Sequence, residues 1–365
     1  MSSEFAPEMP VPPATRHFKG RGAPSNPNGR FESTTFERDT DWNPEEDPSP
    51  KTQFLKDSTQ TIIAYNTSPD VGFNASINAY RGCEHGCVYC FARPTHEYLG
   101  MSAGLDFETR IMVKENAPEL LRKELSSKKW KPQVLAMSGV TDCYQPIERK
   151  LQITRRVLQT LAEFRNPVGI ITKNFLVTRD IDILQDLANW NCVGVNISVT
   201  TLDPTLTPRL EPRASLPAAR LEAIRLLSEA GIPVGVMVAP VIPGINDHEM
   251  PKILEAAVKN GAKWAGYVAL RLPWGVKDLF EQWVYQHFPD RADKVLNRIR
   301  SIREGKLYDA TWGDRMRGHG IFAQQMEQMF AVACKHAGIQ SNRRFELSTE
   351  HFRVPGREDP QMSLF

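Results

Sequence analysis

From residue 73 to residue 270 the chain repeats one beat, a short apolar segment followed by an amphipathic stretch, and few folds accept that rhythm. The apolar segments span residues 73–80, 134–138, 168–172, 193–198, 234–241 and 264–270. Between them, apolar residues recur at helical spacing: Leu120, Leu121 and Leu125; then Leu151, Val157, Leu158 and Leu161; Ile181, Leu184 and Leu187; Leu221, Ile224 and Leu227; Ile253, Leu254 and Ala257. Asn116-Ala117-Pro118-Glu119 has the composition of a helix start, and Gly231 and Gly261 stand where helices close. Strands apolar on both faces belong to a parallel sheet covered by crossover helices. Periodicity alone leaves two such sheets open, a doubly wound one and a barrel.

The chain has 365 residues, enough for two ordinary domains or one large α/β barrel with extensions. Forty-five basic residues against 43 acidic ones leave a net charge of +2, so no global field demands nucleic acid or an anionic membrane. Residues 1–57 are rich in Pro, Ser, Asn and charge and predict a flexible amino-terminal arm. Within it, residues 17–22 and 30–32 interleave basic residues with phenylalanine, and a solvated linker is favoured over a packed arm. No secretion signal is legible in residues 1–20. The longest apolar run, residues 232–245, is broken by prolines and falls short of the ~20 residues a membrane span needs. A cytoplasmic protein is expected, with a barrel core over 58–286 and a helical carboxyl-terminal cap over 287–365. After Pro273 the pattern changes: Leu279, Trp283 and Phe288 predict one helix, Val295, Ile299 and Ile302 another, and residues 321–337 a third. The run Trp312 to Gly320 combines glycines with polar and aromatic residues, as a lid or a plain connection would.

Half of the six cysteines fall in one loop: Cys83, Cys87 and Cys90, spaced C-x3-C-x2-C just after the first apolar segment. Low cysteine usage excludes a disulfide framework and suits a reducing cytosol. Three such thiolates can hold three irons of a 4Fe-4S cluster and leave the fourth iron open. A structural zinc site prefers four ligands, and only His85 and His96 lie nearby as candidates. Ferredoxin clusters use four cysteines at other spacings.

The cysteine motif, with Tyr89 just before Cys90, resembles the signature of the radical S-adenosylmethionine (radical SAM) superfamily. The resemblance covers roughly residues 68–286 and implies a partial (β/α)6 TIM-type barrel with its active site at the carboxyl ends of the strands. It implies that SAM chelates the open iron. One electron, from a reduced flavodoxin or ferredoxin, then splits it into methionine and a 5'-deoxyadenosyl radical. By position, Ser138, Thr141 and Asp142 match the loop that holds the SAM amino group; a turn role for Asp142 ahead of Pro146 stays open. Lys173 closes the third strand, where a cation is costly unless it meets an anion, and the SAM carboxylate is a natural partner. Ser198 and Thr200 end the fourth strand. Arg213, in Glu211-Pro212-Arg213, offers a fork for a SAM carboxylate or the ribose, with a surface salt bridge equally open. Residues 240–244 could hold an adenine, and Arg271 ends the sixth strand where it could face the substrate.

The wording of these strand ends resembles the branch related to spore photoproduct lyase, which by resemblance alone points to nucleic acid as substrate, with a protein or small molecule left open. That enzyme relies on a hydrogen-donating cysteine just upstream of the aspartate in the second-strand loop. Here Gly139 and Val140 occupy that place and Cys143 follows Asp142. Cys143 could donate hydrogen if it faces the barrel mouth, or it is a small buried hydrophobe; Cys192 and Cys334 read as core. A second hypothesis is a non-catalytic module, with zinc held by the cysteine loop and a histidine, and nucleic acid bound by the basic pieces Lys128-Lys129-Trp130-Lys131 and Asn342-Arg343-Arg344-Phe345.

Overall fold

The structure is a computed structural model and describes residues 18–32, 50–341 and 346–356. Its strands are β1 (Gln53–Lys56), β2 (Ile63–Tyr65), β3 (Ala75–Ile77), β4 (Tyr80–Arg81), β5 (Arg110–Val113), β6 (Leu135–Met137), β7 (Val168–Thr172), β8 (Val193–Ser198), β9 (Val234–Val241), β10 (Trp264–Ala269) and β11 (Gln340–Ser341). The larger sheet runs β11-β10-β9-β8-β7-β6-β3-β2, parallel throughout except for β2, which is antiparallel to β3.

That order decides between barrel and doubly wound sheet. Each βα unit steps one strand further in the same direction, and right-handed crossovers that never reverse place their helices on one face. A doubly wound sheet would reverse its strand order at a switch point. The sheet curls into a partial barrel whose end strands, β2 and β11, do not pair with each other. Helices Ala117–Leu125, Ile153–Phe164, Ile181–Asn189, Pro217–Glu229 and Met250–Lys259 turn Leu121, Leu158, Leu184, Ile224 and Leu254 onto it. With Val168, Val193, Val195 and Ile197 these residues form one continuous core. Each fully buried aliphatic side chain contributes roughly 1.5–3 kcal/mol.

A second core lies over the mouth. Helices Val276–His287 and Ala292–Ser301 pack Phe280, Trp283, Val295 and Ile299 against Leu210, Ile242 and Leu270, and against Cys87, Val88 and Tyr89 of the cysteine loop. The helix Ile321–Ala337 instead joins the main core through Met326 and Phe330.

Several local expectations are corrected. The first apolar segment is not one strand: β3 belongs to the larger sheet, and β4 pairs with β5 in a separate sheet of order β1-β5-β4. Asn116 precedes its helix without a side-chain capping bond. Leu151 ends a separate short helix, because the backbone breaks at Gln152 (φ 51°) before the helix Ile153–Phe164 begins.

The linker reading also fails for residues 18–32. Backbone N–H groups of Gly22 and Ala23 donate to the Glu108 carboxylate at 3.0 and 2.8 Å, Ala23 is buried, and the Arg30 guanidinium lies 3.9 Å above the Trp274 ring. Gly22 runs so close to the cysteine loop that a Cβ there would sit 1.8 Å from the Gly86 carbonyl oxygen. Only glycine allows that approach.

Candidate metal centre and active site

The cysteine loop begins where β4 ends, at the mouth of the barrel. Cys83 and Cys87 are buried and Cys90 is partly so, and none is in a disulfide. The loop backbone is held from four sides. Cys83 N donates to Phe107 O (2.9 Å) and Val88 N to Leu210 O (3.1 Å). Thr141 Oγ1 donates to Gly82 O (2.6 Å), and Glu84 N donates to Gln145 Oε1 (2.9 Å). Beneath lies Arg93, fully buried, donating to Cys87 O (2.9 Å), Gly86 O (3.3 Å), Ala103 O and Gly104 O, and paired with buried Glu108. Glu108 in turn receives the amino-terminal segment, so one ion pair fastens the loop and the arm together.

Burial pushes the Cys87 thiol well up, with Glu211 adding to the effect, and pushes Cys90 up with help from Cys83. Thiols held protonated this way become ligands when a cation replaces the proton. Soft sulfur donors select iron–sulfur clusters, zinc or copper(I). Around one tetrahedral ion with bonds of ~2.3 Å, sulfurs lie within roughly 4 Å of each other. Among the described residues, the group of three donors mutually within 4.8 Å is Glu304, Asp309 and His319, in the cap, and not these thiols. The three sulfurs do not all lie within 4.8 Å of one another, which suits ligands of separate irons better than ligands of a single ion.

Asp142 is partly buried in a web of contacts. Its Oδ1 accepts from Thr172 Oγ1 (2.7 Å) and Tyr144 N (2.9 Å), and its Oδ2 accepts from Lys173 N (2.8 Å) and faces His85 Nδ1 at 3.4 Å. Those contacts occupy the ~four acceptor positions of a carboxylate, so Asp142 braces the β6 and β7 ends and His85. Burial opposes its charge, but His85 outweighs it and holds Asp142 at about 2. Burial likewise opposes charge on His85, but Asp142 and the Cys83 sulfur raise it to about 10. Asn174 Nδ2 meets its other nitrogen at 3.0 Å.

A second web centres on Glu211, which binds Arg220, Tyr89 Oη and Thr200 Oγ1. Burial raises its carboxyl, but Arg220 and then Lys173 prevail and hold it at about 2. Tyr89 is thereby fixed between cysteine loop and strand ends, and the Lys173 ammonium lies 5.9 Å from its ring centre with no hydrogen-bond or ion-pair partner among the described residues. Ser198 is buried, and its carbonyl accepts from Arg220 Nη1 (3.0 Å). Ser138, at φ 80°, accepts from Cys143 N (3.0 Å).

Other expected residues stand apart. Arg213 pairs with Glu84 at 3.0 Å and donates to Thr52 Oγ1 at 3.3 Å, so its fork is engaged. Cys143 is 1% exposed and packed in the main core, as a small buried hydrophobe would be. Cys192 packs at the opposite end of β8, near Ser348 O. Trp130 is partly buried, donates to Asn166 Oδ1 (3.2 Å) and lies on the approach to β6, at the end of the barrel opposite the cysteines. Residues 342–345 lie outside the described residues.

Sequence reasoning missed Arg93, Glu108, Arg220, Gln145, Asn174 and the bracing role of His85. All are buried, and a polar residue inside an apolar period was the only available signal.

A family profile for the Radical SAM superfamily matches residues 77–257. An uncharacterised protein of Mycobacterium tuberculosis strain H37Rv is 33% identical over 248 residues, 67% of this chain and 72% of that one. One of Methanocaldococcus jannaschii is 30% identical over 223 residues, 61% and 79%. The chain belongs to the radical SAM superfamily, whose members cleave SAM reductively at an iron–sulfur cluster. Its backbone is similar to that of spore photoproduct lyase complexed with dinucleoside spore photoproduct, with a TM-score of 0.56 at 15% identity over 80% of this chain and 82% of the other, a likeness of fold. Among the described residues no helix is long and apolar enough to cross a membrane.

Proposed function

We propose that Cys83, Cys87 and Cys90 hold a 4Fe-4S cluster whose fourth iron takes SAM. That pair supplies one-electron cleavage of the sulfonium to methionine and a 5'-deoxyadenosyl radical able to abstract hydrogen. The observation that carries the reading is the set of three thiols on one braced loop, two buried and one partly so and none in a disulfide, with no fourth cysteine beside them among the described residues.

The chain's own groups divide the remaining work. Lys173, which has no ion-pair partner among the described residues, receives the SAM carboxylate. Asp142 orients rather than binds: it fixes His85 against the loop and the Lys173 backbone at the end of β7. Thr141 and Ser138 hold the β6 loop in place. Glu211 and Arg220 lock Tyr89, and the cap helices over Cys87 to Tyr89 keep water from the radical. The electron comes from a reduced flavodoxin or ferredoxin. For the substrate, spore photoproduct lyase shares the fold and has been seen with bound AdoMet and dinucleoside spore photoproduct, and nucleic acid is the class this likeness favours. Repair of the same lesion is disfavoured, because Gly139 and Val140 stand where its cysteine would and Cys143 is sealed in the core.

The test is anaerobic reconstitution with iron and sulfide, then SAM and dithionite. A brown protein releasing 5'-deoxyadenosine is expected, with release abolished in Cys87→Ala while circular dichroism stays unchanged. A colourless protein holding one zinc, or unfolding of the variant, would reject the proposal.

A further inference from the structure

At the carboxyl end of β10 stand two guanidinium groups, Arg271 and Arg303, with no ion-pair partner among the described residues. Arg271 follows that strand by two residues, and its guanidinium lies 5.0 Å from the ring centre of Phe91, the residue after Cys90. Its Nη1 reaches Met316 Sδ at 3.4 Å, a weak acceptor, and its Nε is buried without a hydrogen-bond partner among the described residues. Behind it, Arg303 is 1% exposed and donates to two neutral carbonyls, Leu270 O and Asp314 O, both at 2.7 Å. Its Nε is unpartnered too. Arg315 is tied to Asp70 and Ser68, and the Arg317 guanidinium stacks 3.9 Å over Tyr267.

The acidic groups facing this cluster are Asp70, Asp309 and Asp314, with the Tyr308 phenol. Asp70 is spent on Arg315, and among the described residues none of the three carboxylates forms an ion pair with Arg271 or Arg303. Burial lowers the pKa of both Arg271 and Arg303, and Arg315 and Arg271 respectively add repulsion. Placing a cation among cations away from water is unfavourable unless an anion joins it.

The segment above it supplies a roof. The short helix Asp314–Arg317 sits between Gly313 (φ 89°) and Gly318 (φ 78°), and is fastened across the mouth by Gly313 N donating to Asp70 Oδ1 (2.6 Å) and by Arg315. Its Met316 is what covers Arg271.

We propose that Arg271 seats an anionic group of the substrate, a phosphate or a carboxylate, between Phe91 and the helix Asp314–Arg317. A guanidinium whose Nε is unpartnered, and whose other contacts are a thioether and the Tyr308 phenol, can offer such an oxyanion a bidentate fork. Its neighbour Phe91 adjoins the third cluster ligand, so the seat would hold one end of a molecule whose reacting carbon lies over the barrel. Arg303 acts only through position, tying the end of β10 to the roof. The word substrate here rests on the radical SAM reading; the anion seat itself does not.

Isothermal titration of the reconstituted holoprotein with inorganic phosphate, acetate and a single-stranded oligothymidylate reads the seat without turnover. At least one is expected to bind, with Arg271→Gln weakening it tenfold or more and Arg271→Lys retaining part of it; thermal melting confirms the fold. Binding of phosphate or acetate at Arg271 identifies a small anion, and binding of the oligothymidylate alone identifies a phosphodiester; either supports the seat. A second measurement needs no variant: phenylglyoxal labelling of Arg271, read by mass spectrometry, is slowed by the bound anion. No binding in the native protein, equal affinity in Arg271→Gln, or unaltered labelling overturns the inference. Failure of native protein to cleave SAM is a separate outcome, which removes the radical reading and leaves the titration to stand by itself.

Discussion

Around Ile197 on β8 the buried neighbours are aliphatic side chains of adjacent strands and of the helices behind them. Around the cysteine loop, the buried neighbours include Arg93, Glu108, His85, Glu211 and Arg220. The wall is held by area removed from water, which is additive and forgiving of small changes in shape. Charge pairs that have lost their water hold the mouth, and each is worth keeping only while both partners stay. The barrel can therefore remain folded while the cysteine loop loses its geometry, and the two regions should respond to different insults.

Arg93→Met attacks that contrast hardest, since it strands the Glu108 charge and frees the Gly86 and Cys87 carbonyls. A loss of about 3–5 kcal/mol in urea unfolding is expected, with a fall in bound iron after reconstitution. Full iron retention at unchanged stability would mean the loop is not held by charge.

Acid is the next insult. Glu211 is held at about 2 in the folded protein, against roughly 4.3 when unfolded. A depressed folded value stabilises above the unfolded value and is lost as pH falls from there toward 2. The stability difference between native protein and Glu211→Gln should therefore be full at pH 7 and shrink from about pH 4.3 downward. A difference that is constant across that window would deny the pairing with Arg220.

The smallest effect is expected in the wall. Ile197→Val should cost about 0.5–1.5 kcal/mol, with no change in iron content or SAM cleavage. Altered iron content would show that wall and mouth are coupled.

The same contrast explains what was legible in the sequence. Val168, Val195 and Val236 announce strands because apolar burial writes itself as period and run, and the helix Ile321–Ala337 was readable end to end. The three cysteines were readable because their spacing is local. Arg93 with Glu108, and Glu211 with Arg220, were not: a buried ion pair leaves two ordinary charged letters, and nothing in the letters says they have met. Arg213 stayed ambiguous for the same reason, and of its two readings the salt bridge is the one seen, with Glu84 of the cysteine loop as partner. The split of the first segment into β3 and β4 was hidden because both halves carry strand-like residues and only pairing partners separate them.

Electron paramagnetic resonance of the anaerobically reconstituted, dithionite-reduced protein, recorded with and without SAM, tests the central claim most directly. The account expects four irons per chain and a reduced-cluster signal that shifts when SAM is added, because one iron has no side-chain ligand. A signal indifferent to SAM, or a chain that takes up no iron, would contradict it.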